Sequence, residues 1–195
     1  MNSGKRVSVF IDLANVEQGL NKYRKNGLRL DYSYLVKCVV GEGTLQKAIV
    51  YDSTPCGSES VEDLHRMLVN KGFDLIEKSP QNFEEDGETK HAQKEVDTSL
   101  VADVVAMACL DEYDVAVIVS GDRDMKPAGE CAKNQGKEVI YAGFSHSLCS
   151  HYKYGCDNTF VIDANPVMEF VDCPADVEAF SYASSDIREE AVVDA

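Results

Sequence analysis

The sequence predicts a layered α/β fold built around a mainly parallel sheet, and three observations carry that prediction. Short apolar runs alternate with helix-period segments along the chain, the order expected of strand–helix–strand units with right-handed crossovers. Two of these runs, Val7–Ile11 and Val115–Val119, are nearly continuously apolar, as in strands covered on both faces. The 195 residues are 44% hydrophobic, enough for one buried core in a chain of this size.

The elements follow in order. Residues 7–11 read as a strand and 16–26 as a helix. The spacing predicts a second helix over 32–40, with Asp31 as its N-cap and Gly41 at its end. A strand at 45–51 and a helix at 59–71 come next, the helix capped by Ser58 or Ser60 and stopped at Gly72. After a strand at 73–77, the polar stretch 79–95 is too long for a simple connector; it reads as a substrate-contacting loop or as inert decoration. A helix at 97–110 leads to the strand 115–119. Pro127 suits the first turn of a helix at 126–135, followed by a strand at 138–142, a helix at 146–153 and a short strand at 159–162. Residues 1–165 are expected to form the domain. Residues 166–195 read as an acidic tail, partly disordered or docked on a partner.

Charge narrows the function classes. The formal net charge is −15, and from Asp163 onward nine acids meet one base. Such a chain does not attract phosphates through its global field, so a nucleic-acid partner has to be argued from a site. The one basic cluster, Lys22, Arg24, Lys25 and Arg29, reads as a solvated helix face. The seven cysteines form an odd set without a CxxC pair, which fits free thiols in a reducing compartment. His146, Cys149, His151 and Cys156 have zinc-ligand chemistry but match no common zinc spacing. No run approaches the ~20 apolar residues of a membrane span, and the N-terminus leads directly into a strand, unlike a signal peptide. The expected location is the cytoplasm, without membrane attachment.

The informative feature is acidic. Asp12 closes the first apolar run, Asp97 opens the stretch carrying Val101, Val104 and Ala108, and Asp122 and Asp124 follow Val115–Val119. Carboxylates are seldom buried unless paired or bound to a cation. At about 100° per residue, those three apolar residues lie within about 40° of Asp97, so Asp97 shares the face that packs on the sheet. Asp103, about 120° away, is expected in solvent. Singly, each Asp is equally a helix cap, turn former or helix-dipole acid. Jointly they converge, because ligands bind at the carboxyl ends of strands in open α/β sheets. Carboxylates about 4 Å apart repel by roughly 4 kcal/mol at an effective dielectric near 20. The cluster must therefore raise its pKa values or bind a cation, and an all-oxygen set favours Mg²⁺ or Mn²⁺. Such sites suit in-line hydrolysis of a phosphodiester.

At these residues the chain resembles a known family. Phe10-Ile11-Asp12-x-x-Asn15, Lys94-Glu95-Val96-Asp97 and Val119-Ser120-Gly121-Asp122-Arg123-Asp124, followed by Gly136-Lys137-x-Val139, are similar to the NYN domain. More narrowly they resemble its LabA-like (DUF88) branch within the PIN-like nuclease superfamily, over about residues 5–163. The resemblance implies a three-layer α/β/α sandwich of PIN-like, Rossmannoid type and a metal-dependent ribonuclease. It implies Asp12, Asp97 and Asp122 as catalytic metal ligands, with Asp124 a further ligand or a base beside them. Asn15 would position substrate or water, Ser120 would hold a carboxylate through its hydroxyl, and Lys94 would contact a phosphate. The implied cofactor is Mg²⁺ or Mn²⁺ and the implied partner is single-stranded RNA; a protein partner at the acidic tail and a homodimer are compatible with it. Two positions depart from the family pattern: Glu95 stands where Gly is common, and Met125 where an aromatic is common.

The rival reading is a regulatory or binding module that keeps the fold but cleaves little. A haloacid-dehalogenase phosphatase would require Asp-x-Asp after the first strand, and Asp12-Leu13-Ala14 does not supply it. A dinucleotide-binding fold lacks its GxGxxG there.

Overall fold

The structure is a computed structural model. It describes residues 2–53, 59–78, 81–85, 88–92, 94–150, 152, 158–165 and 167–170, with backbone alone for 81–85, 88–92, 94–95 and 168–170. In chain order the elements are β1 (Arg6–Asp12), α1 (Leu13–Arg24), β2 (Leu28–Leu30), α2 (Tyr32–Val40), β3 (Thr44–Asp52), α3 (Glu59–Asn70), β4 (Asp74–Glu77), β5 (Gln81–Glu85), β6 (Glu88–Ala92), α4 (Lys94–Cys109), β7 (Val115–Val119), α5 (Lys126–Asn134), β8 (Glu138–Gly143), β9 (Thr159–Val161) and β10 (Met168–Phe170).

Six strands form one sheet in the order β4-β3-β1-β7-β8-β9. Every pairing in it is parallel. The apolar runs explain the centre: β7 is buried at all five positions and β1 at all but the first. Alternate residues of these strands feed two cores. Val7, Val9 and Ile11 pack with residues of α1, α2 and α3. Phe10, Ala116 and Ile118 pack with α4 and α5. Helices thus cover both faces, and the three-layer α/β/α sandwich is the fold found.

Several limits have the causes read from sequence. Asp31 accepts hydrogen bonds from the backbone N–H groups of Ser33 and Tyr34, and Gly41 ends α2 at φ +59°. Gly72, at φ +89°, follows α3 in the same way, a conformation that needs no Cβ. Pro127 lies in the first turn of α5. Ser60 falls inside α3 instead of capping it, and Ser58 lies outside the described residues.

Other expectations were displaced. Both α1 and α4 begin three residues earlier than the apolar period indicates; for α1 the reason is that Asp12 caps the helix directly. The stretch 79–95, expected as a loop, contains an antiparallel hairpin of β5 and β6. The segment 146–153 opens as a turn at 145–147, with helical residues at 150 and 152 and the remainder outside the described residues. Strands β2 and β10 were not anticipated; they pair antiparallel, Met168 opposite Leu30 and Phe170 opposite Leu28. The tail beyond 170 also lies outside the described residues. Asp103 is not simply in solvent, since it accepts a hydrogen bond from Tyr51 Oη at 2.8 Å. Arg24 likewise leaves the expected solvated face: it pairs with Glu17, which is 1% exposed and also accepts from Tyr32 Oη.

Candidate active site

β1 and β7 are neighbours, with Ile11 level with Val119. Asp12 and Ser120, one residue further on each strand, therefore leave the sheet side by side. Asp12 is 7% exposed. One of its oxygens accepts from Ser120 Oγ at 2.9 Å and the other from the backbone N–H of Asn15 at 3.1 Å. Asn15 in turn accepts from the Gly121 N–H through Oδ1 at 2.8 Å. Ser120 Oγ also accepts from the Asp122 N–H at 3.1 Å, and Asp122 accepts from the Asp124 N–H at 2.9 Å. The three residues after β7 are thereby tied to the first turn of α1.

α4 delivers the third carboxylate. Its apolar stripe, including Leu100, Val104 and Ala108, is buried against the sheet, and Asp97 lies one turn from the helix start beside that stripe. Burial is the main cause that raises the Asp97 pKa, to about 6, with the charges of Asp122 and Asp124 adding to it. Asp12 is pushed up to about 7, again chiefly by burial and further by Asp97 and Asp122. Asp12 and Asp97 thus lie in the field of neighbouring carboxylates, with Asp122 acting on both. Asp122 is half-buried and Asp124 exposed, so the cluster runs from a buried base at Asp12 to an open rim at Asp124.

Among the described residues, no three His, Cys, Asp or Glu side chains stand at the spacing of a held metal ion. The donor set itself is all oxygen, which suits Mg²⁺ or Mn²⁺ and not zinc. The side chain of Lys94 lies outside the described residues, as does that of Glu95. Met125 is fully buried among α4 and α5 residues, so an apolar side chain fills the place where an aromatic was noted as common.

Two supports escaped the sequence reading. Tyr152, fully buried, stacks on Tyr141 at 4.0 Å and donates to the Asp122 carbonyl at 3.0 Å. Asp52, at the end of β3, is 0% exposed and lies 2.7 Å from His65 Nε2 on α3. The signal for Asp52 was present, a carboxylate closing the run Ala48–Tyr51. Strand alternation nevertheless turns it to the face opposite Asp12, for it is Tyr51 that stands level with Asp12.

The chain matches the family model of the NYN domain over residues 6–169. The chain belongs to the NYN-domain family. NYN domains fall within the PIN-like nuclease superfamily, are generally nuclease-type hydrolases, and typically use divalent metals. The NYN fold here is similar to the crystal structure of a protein of unknown function from Vibrio parahaemolyticus, with a TM-score of 0.69 at 21% identity, covering 84% of this chain and 96% of that one. At that identity the likeness shows the fold alone. MurG of Acinetobacter baumannii aligns at a TM-score of 0.33 and 13% identity over 71% of this chain and 34% of its own, a likeness that carries no argument. No curated protein matches the chain. No helix among the described residues is long and apolar enough to cross a membrane.

Proposed function

We propose that this NYN domain is a metal-dependent ribonuclease that hydrolyses RNA phosphodiester bonds, of the LabA-like branch and cytoplasmic. The observation that supports it most is the convergence of Asp12, Asp97 and Asp122 at one sheet edge, where burial and like charge hold Asp12 and Asp97 at about 7 and about 6. Carboxylates so raised are poised to exchange their protons for a cation near neutral pH. In this reading Asp12, Asp97 and Asp122 hold Mg²⁺ or Mn²⁺, and Asp124 completes the set or takes up a proton at the rim. A bound divalent ion there supplies Lewis-acid charge to the phosphodiester and makes water a better nucleophile.

The chain's own groups do the positioning. Ser120 and the Asn15 N–H fix both oxygens of Asp12. The Asn15 side chain, by holding the Gly121 N–H, sets where Asp122 and Asp124 stand. Lys94, at the start of the helix bearing Asp97, contacts a substrate phosphate. The competing reading, a module that binds and regulates without cleaving, draws on the net charge of −15.

End-labelled single-stranded RNA incubated with Mn²⁺, Mg²⁺ or EDTA, with Asp97→Asn in parallel, separates the two. Cleavage that needs metal and disappears in the variant is expected. Metal binding by calorimetry without cleavage at any metal concentration would favour the regulatory module, and neither cleavage nor metal binding would leave the four Asp residues as caps and turns.

A further inference from the structure

We propose that Lys22, Tyr23 and His146 form a stacking and phosphate-holding platform for the single strand flanking the scissile bond, an inference that rests on the ribonuclease reading above. The loop after β8 lies against α1. Gly19 allows this, since a Cβ there would stand 2.5 Å from the Phe144 ring. Phe144 is buried and stacks on Tyr23 at 5.4 Å with the rings 24° apart. His146 is exposed, with its ring 5.7 Å from Tyr23 and 5.8 Å from Phe144. Lys22 Nζ lies 5.7 Å from the centre of the Tyr23 ring.

The assembly is held rigid by acid groups that are themselves engaged. Asp163 accepts from Tyr23 Oη at 2.6 Å and from the N–H and hydroxyl of Ser145. Glu17 is taken up by Arg24 and Tyr32. Arg24 offsets the Glu17 charge, and although Asp163 stays ionised beneath Tyr23, the exposed Lys22 and Lys25 outnumber it on this face of a chain of net charge −15. The charge complements a phosphate backbone, and an exposed ring on a fixed aromatic base suits a nucleobase of any identity.

The same loop touches the acidic site. A Cβ at Gly121 would meet the Ser147 carbonyl at 2.4 Å, and the Cys149 N–H donates to the Gly121 carbonyl at 3.3 Å. Tyr23 follows Asp12 by eleven residue steps, about 16 Å along the axis of α1. A strand bound at the acidic cluster would reach the platform after two or three nucleotides.

The test is fluorescence anisotropy of labelled oligouridines of three and twelve nucleotides in EDTA, where no cleavage can confuse binding, followed by cleavage of both lengths with Mn²⁺. The wild type is expected to bind the longer strand more tightly. His146→Ala and Lys22→Gln each weaken that binding about 10-fold and erase most of the length advantage, with KM for the longer strand rising while both variants melt as the wild type does. A wild type that cuts RNA, with variants that keep the full length advantage, would overturn the platform and leave the nuclease intact. A wild type that neither binds nor cuts either strand would remove the nuclease reading and the platform with it. Preference for a polyglutamate peptide over both RNAs would overturn the platform too.

Discussion

The two ends of the central sheet place the same residue type in opposite circumstances. At the carboxyl end, Asp12 and Asp97 sit among like charges with their pKa values raised to about 7 and about 6. At the amino end, Arg6 meets Asp114 through two guanidinium nitrogens, at 2.8 and 3.2 Å, and reaches Asp111 at 3.1 Å, while Lys137 also pairs with Asp111 and Lys5 with Glu138. There the Arg6 hydrogen bonds hold Asp114 down at about 2, and Lys137 with Arg6 keeps Asp111 below its ordinary value. One edge is compensated within the chain. At the other, the groups acting on Asp12 and Asp97 include like charges and no cation among the described residues, a perturbation of the kind that marks candidate functional sites.

The largest break in this comparison should come from Asp12→Asn. Cleavage is expected to fall more than ~100-fold, while the metal-free protein melts no lower than the wild type. Asn keeps the helix cap and removes a buried charge that repels its neighbours; a clearly lowered metal-free melting temperature would count against a shared acidic cluster.

Next in size is the pH dependence, which has opposite signs at the two ends. For Asp12 the folded pKa lies above the ordinary 3.8. Its contribution is therefore complete below about pH 4 and lost as pH rises through about 7, on the order of 4 kcal/mol in the absence of metal. For Asp114, lowered to about 2, stability is present above about pH 4 and lost as pH falls through 2. Melting curves between pH 5 and 8 should show metal-free stability declining with pH, and Mn²⁺ reversing that slope in the wild type but not in Asp12→Asn.

Arg6→Gln should then lower the melting temperature at pH 7 with cleavage unchanged, because its partners lie at the far edge from the acids. The loss is modest, since the pairs are substantially exposed and solvent screens them. The smallest effect is expected from Tyr152→Phe. It removes the hydrogen bond to the Asp122 carbonyl, costing about 1 kcal/mol and slowing cleavage a few-fold, and so tests whether the core beneath α5 helps to place the rim.

How much of this was legible depends on the range of the force that specifies each feature. β1 and β7 were visible because an unbroken apolar run has few other uses, and Asp12, Asp97 and Asp122 drew notice because they stand at the ends of apolar segments. The hairpin of β5 and β6 was hidden, since a polar stretch such as Glu84 to Lys90 carries no apolar period. β2 and β10 are three-residue strands defined by pairing across the chain, which no local window contains. Asp103 and Arg24 were misplaced for the same reason: their partners Tyr51 and Glu17 are fixed by packing between elements. The Asp52–His65 pair shows the opposite case, a local signal that was present but pointed to the other face.

The strand order has a consequence for the moment of synthesis. β1 lies between β3 and β7, and the Ser120 hydroxyl that holds Asp12 is 108 residues later in the chain. While the polypeptide is still emerging, β1 can pair with β3 but exposes its other edge until β7 arrives, a long-range closure of the kind that slows folding. The acidic cluster is thus assembled only when β7 and its following turn are in place. A nascent chain that ends before β7 lacks the site, and the proposed nuclease would gain its acidic cluster when β7 pairs with β1, before β8 and β9 complete the sheet.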